Sequence, residues 1–70
     1  MNYKQIYEFV NNKGFCFPCS GKNENDEFVI IEHGEDENGV FVQIKTIQEN
    51  NWIRVETYYE CGDITETYER

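Results

Sequence analysis

Val40-Phe41-Val42-Gln43-Ile44-Lys45-Thr46-Ile47-Gln48 decides the fold. Val40, Val42 and Ile44 fall on one side of an extended chain, and Phe41, Gln43, Lys45 and Ile47 on the other. This period of two predicts a strand over 40–48. The polar stretch Gly34-Glu35-Asp36-Glu37-Asn38-Gly39 precedes it and reads as a hairpin loop, with Asn-Gly as its strongest signal. Glu49-Asn50-Asn51 follows it and makes the next turn, because asparagine tolerates positive φ.

Working outward, residues 52–60 alternate as well. Ile53, Val55 and Tyr59 point one way; Trp52, Arg54, Glu56, Tyr58 and Glu60 point the other. A tight hairpin at Gly62 leads to a last strand over 64–69, where Ile64, Glu66 and Tyr68 share a face. Pairing Tyr59 with Ile64 would set Val55 opposite Tyr68 on a core face. Upstream, the run Phe28-Val29-Ile30-Ile31 predicts a strand over 27–33. Its lack of alternation suggests a central strand covered on both sides. Phe15-Cys16-Phe17-Pro18-Cys19 is too apolar for a free loop and reads as a strand over 15–19. Pro18 cannot donate to a ladder, so this strand lies at an edge or ends there. Residues 20–26 have turn composition.

The N-terminal segment carries a different period. Tyr3, Ile6, Tyr7 and Val10 recur at helical spacing, and Phe9 widens the stripe. Asn2 is a good N-cap, and Gln5 completes a capping-box pattern. Gly14 suits a left-handed stop. A helix over 3–12 is expected. The fold class is therefore α+β: an N-terminal helix packed on a four- to five-stranded antiparallel meander. The sheet has two apolar faces and one helix to cover them, so a second copy or another partner is expected on the open face.

Seventy residues suffice for one domain, spanning 1–70, and bury only a thin core. Aromatic content of 16% offsets this and argues against disorder. Fourteen Asp and Glu against six Lys and Arg give a net charge of −8. Such a chain repels nucleic acid and anionic membranes, and is drawn to cationic partners. The plainer reading of the charge is solubility. No apolar run reaches the length of a membrane span, and the N-terminus does not read as a signal peptide. Three cysteines, an odd number, fit a reducing compartment, so a cytoplasmic location is expected.

Cys16-Phe17-Pro18-Cys19 is a CxxC pair, but a helix precedes it where redox dithiols have one following. As half of a zinc site it could recruit only His33 and Cys61. If 16–19 is extended, its two thiols face opposite ways; the alternative is small buried hydrophobes. His33 lacks a nucleophile with an elbow-like glycine pattern nearby and reads as a surface residue at a strand end. No calcium-loop motif is present. Neither catalysis nor a cofactor is expected.

Two features remain. Glu24, Asp26 and Glu27 cluster in one turn, and Glu35, Asp36 and Glu37 in the next. On a rigid sheet, carboxylates so spread can imitate the phosphates of a duplex. Trp52 and Tyr58, with Arg54 between them, read as an outward aromatic patch of the kind that anchors interfaces. The plain alternative is cross-strand packing. The leading expectation is a non-enzymatic inhibitor that occludes the basic site of a nucleic-acid-binding protein, without touching nucleic acid itself. Its most specific form is a phage- or mobile-element-encoded protein of the anti-CRISPR type, acting in the host cytoplasm on a defence enzyme. The rivals are a zinc-stabilised domain and an accessory subunit that dimerises through its open sheet face.

Overall fold

A computed structural model describes residues 2–70. Helix α1 (Tyr3–Asn12) leads into strands β1 (Cys19–Lys22), β2 (Phe28–Asp36), β3 (Gly39–Ile47), β4 (Ile53–Tyr59) and β5 (Ile64–Glu69). The strands form one open antiparallel sheet in the order β1-β2-β3-β4-β5.

Both ends of α1 are capped. The Asn2 side chain accepts the Gln5 N–H, and the Gln5 side chain accepts the Asn2 N–H, each at 3.0 Å. At the other end the Phe15 N–H reaches the Val10 carbonyl and the Gly14 N–H reaches that of Asn11. Gly14 holds φ +76°, completing a left-handed stop. The helix buries Ile6 and Val10. Ile6 forms the core with Val42 and Tyr58, flanked by Tyr3, Phe17, Ile31 and Ile44. Burial of each such side chain contributes about 1.5–3 kcal/mol.

Register assigns the faces. Val42 pairs with His33 and Tyr58, and Tyr58 pairs with Ile64. The helix-side face therefore carries Val29, Ile31 and His33 on β2; Val42, Ile44 and Thr46 on β3; Arg54, Glu56 and Tyr58 on β4; and Ile64, Glu66 and Tyr68 on β5. The opposite face carries Phe28 and Ile30; Phe41, Gln43, Lys45 and Ile47; and Ile53, Val55, Thr57 and Tyr59.

Four expectations are corrected. Residues 15–18 are not in a strand; β1 runs over Cys19–Lys22. Pro18 has no N–H for a ladder, whereas Ser20, Gly21 and Lys22 pair with Ile30, Val29 and Phe28. The β2–β3 connection is two residues long rather than six, because Asp36 already pairs with Gly39. Strand β2 is interior, between β1 and β3, but it is not covered on both faces: Phe28 is 42% exposed on the face without a helix. Finally, Tyr59 bonds to Asp63 rather than pairing with Ile64. That leaves a three-residue loop with Gly62 at φ +107°. The one-residue shift moves Ile64, Glu66 and Tyr68 from the Val55 face to the helix side.

Candidate functional site

The acidic turns lie at opposite ends of β2. At its start, the Asn23 side-chain oxygen accepts the N–H groups of Asn25 and Glu27, and its amide donates to Glu27 Oε1, each at 3.0 Å. This local net shapes the turn and fixes the Glu27 carboxylate. Asp26 sits at φ +63° and pairs with Lys22 at 3.3 Å. At the far end, Asp36 accepts the Asn38 N–H at 2.8 Å and the Tyr59 hydroxyl at 2.7 Å. That second bond pushes the Tyr59 hydroxyl pKa up, because the neutral phenol is the donor. Glu24, Glu35 and Glu37 are exposed. Nine residues of β2 separate the two acidic ends by about 27 Å.

Three of the six cations are tied to carboxylates: Lys22 to Asp26, Lys45 to Glu32 and Arg54 to Glu56. Such half-exposed pairs contribute little to stability. Their effect is to leave the remaining carboxylates, most of them on turns and on β5, in excess. Lys13 lies over the Phe9 ring and Arg70 over the Trp52 ring, at 5.8 and 4.8 Å from the centroids.

Tyr58 is not the surface anchor that its alternation implied. Tyr58 is on the helix-covered face and 9% exposed, packed against Ile6 and Val42. Its hydroxyl donates to Glu56 Oε2 at 2.8 Å. Burial, then this bond, push its pKa up to about 12. Trp52 is half-buried and stacked by Arg70.

The proposed zinc ligands are scattered. Cys19 opens β1 opposite Ile31, while Cys61 occupies the β4–β5 loop. At least three strand spacings separate them, roughly 15 Å, so they cannot share a metal. Cys16 is exposed in the loop before β1. Among the described residues, no group of three or more His, Cys, Asp or Glu is placed to hold a metal ion.

His33 belongs to a feature that the sequence reading missed. Its Nε2 is 3.0 Å from the Tyr3 hydroxyl. Its ring lies 5.4–5.9 Å from those of Tyr3, Tyr7 and Phe17. The cluster ties the helix and the loop before β1 to the second half of β2, inside the strand rather than at its end. The i, i+4 spacing of Tyr3 and Tyr7 was its one local signal. Beside α1, a cleft of about 640 Å³ opens over the helix-side face, with Phe9, Ile31, Ile44 and Thr46 lining it and Arg54 and Glu56 at its side.

No protein-family model matches the chain, no curated protein matches it, and no solved structure matches it. Among the described residues, no helix is long and apolar enough to cross a membrane.

Proposed function

We propose that this protein is a non-enzymatic binding protein that occludes a cationic, nucleic-acid-binding surface of another protein by presenting carboxylates in place of phosphates. The observation that carries this reading is the placement of Glu24, Asp26 and Glu27 at one end of a hydrogen-bonded sheet, with Glu35, Asp36 and Glu37 at the other. Their separation of about 27 Å matches the axial length of roughly eight base pairs. Asp36 and Glu27 are held by hydrogen bonds rather than left to wander, so less ordering entropy opposes association. The net charge of −8 adds long-range attraction to a positive groove. Trp52 adds only a partly accessible ring at the margin, and Tyr58 takes no part.

Affinity capture with immobilised protein tests the proposal. The wild type is expected to retain a nucleic-acid-binding protein that duplex DNA displaces. The double variant Glu35→Lys, Glu37→Lys is expected to retain none. Equal recovery by the two forms would refute carboxylate mimicry at this end of the sheet.

A further inference from the structure

The two edges of the sheet differ. Strand β1 is four residues long, and Pro18 adjoins it. Strand β5 has six residues, all exposed, with neither proline nor lysine to blunt it. Its backbone orientation follows from the hairpin. The Tyr59 N–H donates to the Asp63 carbonyl at 2.8 Å, which makes these two a hydrogen-bonded pair. Antiparallel pairs alternate between bonded and non-bonded. Thr65, Thr67 and Glu69 therefore turn their amides toward β4. Ile64, Glu66 and Tyr68 turn theirs outward, where no strand meets them.

The same three residues project their side chains on the helix-side face, where α1 does not reach β5. Ile64 is 57% exposed and Tyr68 53%. Glu66 lies directly opposite Glu56, an unfavourable like-charge pair. Arg54 contacts Glu56 at 3.3 Å, but Glu66 has only the Tyr68 hydroxyl, at 3.0 Å. Arg70 continues the line of β5 on this face, over the Trp52 ring.

We infer that β5 pairs antiparallel with β5 of a second copy, about a two-fold axis through Tyr68, to give a continuous ten-stranded sheet. In that register Tyr68 meets its symmetry mate, and Glu66 meets Arg70 of the other copy, twice over. The outward amides of Glu66 and Tyr68 are satisfied, and the carboxylate facing Glu56 gains a cation. No like charges stand directly opposite across the new ladder. The two-fold closes the assembly, as a head-to-tail β5–β1 contact would not. The turns bearing Glu24 to Glu27 and Glu35 to Glu37 lie on the β1–β2–β3 side and stay free, so this pairing stands independently of the function proposed above.

Sedimentation equilibrium of the full chain at micromolar concentration tests it, with a dimer expected. Glu66→Pro removes an outward N–H that the monomer does not use; it is expected to sediment as a monomer with an unchanged circular dichroism spectrum. Arg70→Glu is expected to raise the dissociation constant at least about tenfold. Adding Glu66→Arg to it restores the opposite-charge pair and is expected to bring the constant back near the wild-type value. If Glu66→Pro fails to fold, the charge swap decides alone. A monomeric wild type, an Arg70→Glu dimer as tight as wild type, or a double variant as weak as the single would each overturn the pairing.

Discussion

Gly34 is the position where one atom decides a strand. A Cβ built there would sit 2.7 Å from Phe41 Cζ and 3.0 Å from Cε1. The Phe41 ring lies across the bare glycine backbone and meets Tyr59 edge-on at 5.7 Å. Gly34→Ala must therefore push the ring off its seat and off Tyr59. A loss of about 1–3 kcal/mol is expected from such overpacking, read as a lower urea midpoint. Phe41→Ala in the same background should remove the clash, so the two changes should be less than additive. Tyr58 gives a test by titration. Its pKa is raised in the fold, to about 12, from the ordinary value of about 10. The folded state therefore holds the phenolic proton more tightly than the unfolded chain. That stability is complete below pH 10 and is lost as pH rises from 10 toward 12. Comparing the urea midpoints of the wild type and Tyr58→Phe against pH isolates this group. The wild type should lose ground to the variant only on the alkaline side; parallel curves throughout would contradict the raised pKa that burial and the Glu56 bond together give Tyr58.

At the scale of elements, the helix was legible to the residue. Asn2, Gln5 and Gly14 each make the contact that their type and spacing implied. The alternation of β3 and β4 was legible too, and the split of their side chains between faces is as read. What was not legible was which face the helix takes. Both faces of these strands are rich in apolar side chains, so nothing local favours the Val42–Tyr58 side over the Val55–Tyr59 side. Strand β5 was hidden for a different reason. One residue more or less in the loop at Gly62 reverses its faces, and composition does not count loop residues. Strand β1 was misplaced because an edge strand needs free N–H groups more than apolar side chains, and Ser20-Gly21-Lys22 supply the former. Helix α1 holds the core through few residues. Ile6→Ala is expected to cost about 2–5 kcal/mol. A 70-residue domain has about 4–10 kcal/mol in total. The variant should therefore lose about half of its stability, read as a much lower urea midpoint, whereas Asn2→Ala should cost only about 1 kcal/mol.

For the whole molecule, the decisive properties are a sheet covered on part of one face and a charge excess displayed on its turns. The fold gives β2 the role of a ruler between two acidic ends. The sequence showed that the clusters exist, but their separation depends on β2 running through to Asp36, which the polar composition of residues 34–36 concealed. Tyr58 was misplaced because an alternating strand shows which residues face together and not which side is wet. The most direct test of the proposed mimicry is competition, as a function of salt, between this protein and duplex DNA for a nucleic-acid-binding protein recovered by affinity capture. Mimicry of phosphates requires mutually exclusive binding, with an affinity for this protein that falls steeply as salt rises. Simultaneous binding of both ligands, or an affinity indifferent to salt, would contradict it.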